Sequence, residues 1–335
     1  MRCALLACLV WLLTTGTVFA GETLSAIKAA KMLRCGVSTG ISGFSERGAD
    51  SQWSGMDVDF CRAVAAAALG DPALVSYKAL PTLARFPALM SGEIDLLARN
   101  TTWTLGRGVT MGITFTGPLV YSTQGVLVYA ASNIHELSDL EGASICVVRD
   151  STQDQSLNYW ALRKGLHLDK ITYDSDEQAR DGYYAGACQA YASDAVLLAA
   201  MRLKAPGGRD AYRILKDENT MDPLSPAVRR GDPEWRQLVQ SVWACLLLAE
   251  EIGLSQASFS PDAPDSPARE VFLRKSDTLA KPLGVAPGWA ARVVAAVGNY
   301  GEMFERNLGT QSPLGLERGP NNLWSHGGLM LPPDF

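Results

Sequence analysis

The chain has 335 residues, 47% hydrophobic and 19% charged, with a formal net charge of −5. That length carries an ample core and either two domains or one domain with elaborations. The mild acidity argues against the basic footprint of a nucleic-acid binder.

Residues 1–20 read as a secretory signal peptide. Arg2 supplies a positive start, an apolar run covers 4–13, and the segment closes on the small residue Ala20. Cys8 lies too early in the apolar run to serve as a lipid site. No later stretch reaches the roughly eighteen consecutive apolar residues of a membrane span, so a soluble mature chain is expected.

A strand is expected over 32–37, ending in Ser38-Thr39-Gly40. An alanine-rich helix follows over 57–69, then a strand over 75–80. A helix over 83–90 contains Pro87 and must start late or irregularly. The continuous apolar run 94–98 reads as a buried parallel strand. This β-α-β-α-β order implies a doubly wound sheet. The segment 115–130 looks like an extended strand crossing to a second unit.

A second cycle has strands over 144–148, 171–174, 189–192 and 212–215, separated by helices over 152–163, 177–187 and 194–203. The segment SGEIDLLARN (91–100) echoes AGACQAYASD (185–194). Two similar α/β lobes follow from this: lobe one from 21–126 and 222–335, lobe two from 127–221. A return crossing is placed at 218–226 and a long helix at 233–252. The Pro/Ser/Asp-rich stretch from 259 reads as loop. Helices are expected over 268–275 and 288–306. The Gly/Pro-rich tail beyond 307 should pack on the body through Trp324 and Leu329.

Export would leave Cys35, Cys61, Cys146, Cys188 and Cys245 in an oxidising compartment. They lack metal-binding spacing. Several pairings are possible. The one that keeps each bridge local is Cys35–Cys61 and Cys146–Cys188, each worth about 3–4 kcal/mol on the loop-entropy model. Cys245 sits in an apolar helical run and is expected to be a free core thiol.

In open α/β sheets, ligands bind beyond the carboxyl ends of the strands. Three such ends are polar: Arg99-Asn100-Thr101-Thr102, Arg149-Asp150-Ser151-Thr152 and Ser193-Asp194. Facing one cleft, they would suit a zwitterion. Arg107 can take a carboxylate by two parallel hydrogen bonds, and Asp194 can take an ammonium. Asp194 also reads as an N-cap for the helix after it, and the two roles are compatible. His135, His167 and His326 are scattered. No nucleophile elbow, Walker sequence or dinucleotide fingerprint is present, so neither catalysis nor a metal or other cofactor is expected. Glu250-Glu251 reads as a solvated carboxylate pair.

The strings RCGVSTGISGFS, WSGMDVDFCRAVAAAALGDP, RNTTWTLGR and VGNYGEMFERNLGTQSPLGLERGPNNLW, with the pair Cys146 and Cys188, closely resemble the general L-amino-acid binding proteins of bacterial ABC importers. The resemblance runs from about residue 22 to the C-terminus. It implies the type II periplasmic binding protein fold, two α/β lobes joined by a hinge, here with a C-terminal extension. It also implies a periplasmic, monomeric protein that closes on an L-amino acid and delivers it to the permease subunits of an importer. The family typically takes glutamate, glutamine, aspartate and asparagine. By the same resemblance, Arg107 would bind the α-carboxylate, with Asn100 and Thr102 around the substrate head. Thr152 would donate to the carboxylate and Asp194 would bind the ammonium. Arg85 would reach an acidic side chain, and Ile41 and Phe44 would line the pocket. One departure stands out: where the family usually reads Q-G-T-T, this chain has Arg149-Asp150-Ser151-Thr152. A carboxylate replacing that glycine should disfavour acidic ligands. An exported dehydratase of the cyclohexadienyl or arogenate type on the same fold, with Asp150 as acid, is the alternative function; an amino-acid sensor is a third.

Overall fold

The computed structural model describes residues 21–335, and the segment read as a signal peptide lies outside them. Helix α1 (Glu22–Ala30) precedes strand β1 (Leu33–Val37). The chain then forms a small hairpin of β2 (Glu46–Arg47) and β3 (Trp53–Ser54), helix α2 (Met56–Leu69), β4 (Val75–Ala79), α3 (Arg85–Met90), β5 (Leu96–Leu97), α4 (Leu105–Thr110) and β6 (Ile113–Phe115). The crossing strand β7 (Val120–Tyr129) leads to β8 (Ser144–Val148), α5 (Thr152–Lys164), β9 (Asp169–Tyr173), α6 (Asp176–Tyr184), β10 (Ala190–Asp194), α7 (Ala195–Arg202) and β11 (Tyr212–Leu224). The return path gives β12 (Ala227–Arg229), α8 (Pro233–Glu251), α9 (Pro267–Ala280), α10 (Trp289–Val297) and α11 (Tyr300–Asn307).

Two five-stranded sheets result, with orders β4-β1-β5-β12-β6 and β11-β7-β10-β8-β9. In each, the strands built from the β-α-β-α-β order pair in parallel. The other two strands are antiparallel. The strand inserted beside the third parallel strand is β12 in the first sheet and β7 in the second. Each arrives from the other lobe. The echo of 91–100 in 185–194 therefore marks β5 and β10, which hold the same place in their sheets.

The expected elements are present with local differences. Pro87 falls in the first turn of α3, where its missing N–H costs nothing. The stretch 115–130 is broken between β6 and β7 around Gly117 and Pro118. The helix expected over 288–306 is two helices. Gly298 adopts φ +75°, and Asn299 caps α11 in a reciprocal box with Glu302.

The two crossings run side by side: Val120 pairs with Leu224 and Ser122 with Asp222, and the register shifts between Asp217 and Asp222. The C-terminal tail braces this hinge. The Tyr121 N–H donates to Asn321 Oδ1 at 2.6 Å, and Asn321 Nδ2 donates to the Tyr121 carbonyl at 3.0 Å. The tail is anchored in turn by Arg318 on Glu250 and by Trp324 Nε1 on Glu251 at 2.9 Å. The two glutamates expected in solvent are thus the tail's fastening points. Cys35–Cys61 ties β1 to α2, Cys146–Cys188 ties β8 to the chain entering β10, and Cys245 is free and buried. Burial pushes the Cys245 thiol pKa up, which keeps it inert.

Candidate ligand-binding site

The carboxyl ends of β5, β8 and β10 converge on one cavity between the lobes, lined by Arg85, Asn100, Thr102, Arg107, Thr152 and Asp194 among others. Asn100 sits at φ +33°, and its backbone N–H bonds to the buried Asp57. Burial pushes the Asp57 carboxyl up to about 7, against the pull of that N–H and of Arg99. Thr102 bridges to Leu224, and the Trp103 N–H donates to the Pro223 carbonyl at 2.8 Å, so this wall is joined to the hinge. Thr104 caps α4 by accepting from the Arg107 N–H. That cap carries Arg107 inward, where Nη1 donates to the Thr102 carbonyl at 2.9 Å and the guanidinium lies 5.6 Å from the Phe86 ring.

Across the cleft, Ser151 caps α5 by accepting from the Asp154 N–H, which sets Thr152 and Gln153 on the wall. Asp194 occupies the N-cap position of α7 but makes no capping bond. Its Oδ1 is buried without a partner. Burial raises the Asp194 carboxyl well above its ordinary value; Asp222 and Asp176 add to this, while the Arg107 charge opposes it. Arg85 Nε, Asn100 Oδ1 and Gln153 Nε2 are also buried and unpartnered. Burial and the nearby Arg99 and Arg107 lower the Arg85 pKa, yet a guanidinium keeps its proton. A buried unmet polar group costs about 1–3 kcal/mol, more when charged. Four such atoms around one cavity, two of them on charged side chains, suit a small ligand that carries both donors and acceptors.

The lobes are closed. Thr102 Oγ1 and Thr152 Oγ1 are 3.1 Å apart, Thr82 Oγ1 donates to Asp176 Oδ2 at 2.5 Å, and Arg99 pairs with the same oxygen at 2.9 Å. The free volume left at the centre is about 20 Å³, room for about one water. A ligand head must therefore part Thr102 from Thr152.

Two expected residues lie elsewhere. Phe44 is 1% exposed and belongs to the core of lobe one. The tail presses on its loop so closely that a Cβ on Gly43 would meet Leu314 Cδ1 at 2.5 Å. Ile41 lines a neighbouring chamber, not this cavity. Asp150 is exposed, with φ +57°, and is absent from the lining; its backbone N–H donates to Asp154 Oδ2. Thr82, Gln153, Asp176 and Ser193 also line the cavity. Asp176 was legible in principle, because it opens α6 just past the carboxyl end of β9, a fourth strand end left unused.

Two α/β lobes joined by paired crossing strands, with unmet charges of both signs in the cleft, define a solute receptor that closes on a small zwitterion. The chain belongs to the bacterial extracellular solute-binding proteins, family 3, whose model matches residues 33–253. It is 39% identical to the general L-amino acid-binding periplasmic protein AapJ of Rhizobium johnstonii, over 93% of this chain and 92% of that protein. It is 36% identical to the glutamate/glutamine/aspartate/asparagine-binding protein BztA of Rhodobacter capsulatus, over 94% and 93% respectively. An ABC transporter periplasmic binding protein from Brucella ovis, solved with glutathione bound, superposes with a TM-score of 0.87 at 37% identity, covering 92% of this chain and 97% of that one.

Proposed function

We propose that this protein is a monomeric periplasmic receptor that captures an L-amino acid between lobe one (21–126 with 222–335) and lobe two (127–221), and hands it to the permease subunits of an ABC importer. The observation that carries this reading is the unpartnered Asp194 Oδ1, buried in the cavity that Arg107 and Arg85 also line. Arg107 takes the α-carboxylate, with the hydroxyls of Thr102 and Thr152 beside it. Asp194 takes the ammonium, and Asn100 Oδ1 offers it a second acceptor. Each charge-assisted bond contributes about 1.5–3 kcal/mol. Because these groups come from both lobes, ligand contacts favour the closed state that a permease can recognise.

Arg85 remains after the head group is satisfied. It forms no ion pair among the described residues, although Asp176 and Asp194 lie near enough to favour its charge, and a buried guanidinium of this kind favours a ligand whose side chain ends in a carboxylate or an amide oxygen. That class includes the amino acids named for the Rhodobacter capsulatus relative. It also reverses the preference argued from Asp150, whose exposed position puts no charge in the cavity. The same position weakens the dehydratase alternative, which relied on Asp150 as the acid. A sensor with no import partner would share this site; genes for permease and ATPase subunits beside this one would favour import over it.

The test is a thermal-shift screen of the common L-amino acids on the mature protein. A ligand at 100 times its dissociation constant adds about 2.7 kcal/mol of stability. Glutamate, glutamine, aspartate or asparagine should give the largest shifts. A screen in which no amino acid raises the melting temperature sinks the reading.

A further inference from the structure

The amino-acid cavity has a larger neighbour in the cleft. Asp176, Ser193 and Leu197 line both it and an adjoining chamber of about 370 Å³. The chamber is walled by both lobes. Ile41 and Ser42 come from the loop after β1, and Arg180, Tyr184, Ala200 and Lys204 from α6, α7 and the turn after it. An ion pair from Lys204 to Glu46 spans the lobes at its edge, and Ser42 Oγ donates to Glu46 Oε2 at 2.8 Å. Closure therefore creates the chamber as well as the head-group cavity.

The volume is the puzzle. Small-molecule sites commonly run from about 300 to about 1,000 Å³. This chamber alone reaches that range, before the head group is counted. The side chain of a single amino acid would leave most of it to water.

We infer that this chamber receives the tail of a side-chain-linked dipeptide, an α-amino acid whose side-chain carboxyl is joined by an amide to a second residue. The inference rests on the amino-acid reading of the neighbouring cavity. The linkage follows from that cavity's own chemistry. Arg107 and Asp194 between them ask for a free carboxylate and a free ammonium on the same carbon. An ordinary peptide bond consumes one or the other, whereas a side-chain amide leaves both free and directs the extension past Asp176 and Leu197. In the chamber, Tyr184 and Ala200 offer apolar surface to the linker. Arg180 and Lys204 offer donors to a terminal carboxylate. Lys204 has three N–H donors and can serve such a carboxylate while keeping Glu46. The Thr39 and Gly40 backbone N–H groups, also on the lining, have no partner among the described residues.

Calorimetry on the mature protein tests this with L-glutamate, γ-glutamylglycine and α-linked glutamylglycine. The side-chain-linked dipeptide should bind within about threefold of glutamate or tighter, and the α-linked isomer about a hundredfold more weakly. Ala200→Phe fills the chamber and should weaken γ-glutamylglycine about tenfold or more while moving glutamate less than about threefold. Arg180→Ala, which leaves the Lys204–Glu46 pair across the lobes in place, should cost the same ligand about tenfold and spare glutamate, which covers the case in which the phenylalanine variant misfolds. Glutamate binding without γ-glutamylglycine binding overturns the inference and leaves the amino-acid reading standing. Equal losses for both ligands in both variants also overturn it. Binding of none of the three, in a protein no amino acid stabilises, overturns both.

Discussion

Arg99 of lobe one and Asp176 of lobe two form an ion pair at 2.9 Å across the cleft. Arg99 is 2% exposed, and its other bonds go to the Leu80 carbonyl at 2.8 Å and Thr82 Oγ1 at 3.0 Å. Burial alone would raise the Asp176 carboxyl, but the Arg99 charge and the bonds from Thr82 and Arg99 outweigh it and hold the carboxyl below its ordinary value. The pair joins the two lobes directly, side chain to side chain.

Asp176→Asn should therefore open the empty protein. Removing one partner of a buried pair costs about 3–5 kcal/mol where the other charge stays trapped. Here, opening the cleft rehydrates Arg99, so the loss should appear as a population shift and not as unfolding. We expect the closed-to-open ratio to fall about tenfold or more, read by a fluorescence-transfer pair with one dye on each lobe. The pH sense follows from the lowered carboxyl. The pair's contribution is present above the ordinary aspartate pKa and is lost only as pH falls through the lower closed-state value. An unchanged transfer efficiency in the ligand-free variant would show that the pair does not hold the lobes.

Arg107→Ala should abolish measurable amino-acid binding and leave the fold intact. Losing a bidentate pair in a closed cleft costs about 3 kcal/mol or more, over a hundredfold in affinity. The fold loses only the bond to the Thr102 carbonyl and the contact with Phe86. Calorimetry giving an affinity within about threefold of the parent removes Arg107 from the site.

Asp194 predicts a second pH effect, of opposite sign. Its closed-state pKa is raised, so closing the empty cleft takes up a proton. The stability of the empty closed form is greatest at low pH and is lost as pH rises through the raised value. A ligand ammonium supplies the missing positive charge and removes the penalty. The closed fraction without ligand should fall as pH rises above the ordinary aspartate range, while the fraction with saturating amino acid stays level. Asp194→Asn should flatten the ligand-free profile. A flat profile in the parent protein contradicts the buried, unpartnered state of this carboxylate.

Much of this site was legible because its signals are local. An apolar run followed by Arg99, Asn100 and Thr102 marks a strand end, and so does the short strand before Asp194. Periodicity then orders the strands, and the order places their ends together. The rest depends on contacts that sequence spacing does not carry. The strands of the β2–β3 hairpin are two residues each, too short for any period. Phe44 is core because a tail more than 250 residues later covers its loop, with Leu314 packed against Gly43. Asp150 illustrates the reverse error. Its place beside Ser151 and Thr152 suggested a charge in the cleft, but the left-handed turn at φ +57° leaves it exposed outside the lining. Asp150→Gly should thus change glutamate affinity by less than about twofold. It should stabilise the protein by about 0.5–1 kcal/mol, because glycine adopts that backbone region without strain. A glutamate affinity that rises about tenfold in the glycine variant would restore the charge argument.

Asn321 tests what the C-terminal tail does for the hinge. Its amide takes the place of a strand neighbour, accepting from the Tyr121 N–H and donating to the Tyr121 carbonyl. Asn321 is 4% exposed, so water replaces it poorly. Asn321→Ala leaves both backbone groups of Tyr121 unmet at the start of the crossing strand, at a cost of about 1–3 kcal/mol. Asn321→Asp keeps the acceptor and loses the donor. It leaves a carboxylate oxygen facing the Tyr121 carbonyl, so it should destabilise at least as much as alanine near neutral pH and recover in acid as the carboxyl protonates. Urea melts of both variants across pH distinguish this from simple loss of packing, which would give two pH-independent losses. The same bonds tie Arg318 and Glu250 to the hinge through the tail. Arg318→Ala combined with Asn321→Ala should then cost less than the sum of the two single changes, because the second change finds a tail already loosened. Strict additivity would mean that the tail only covers the hinge and does not brace it.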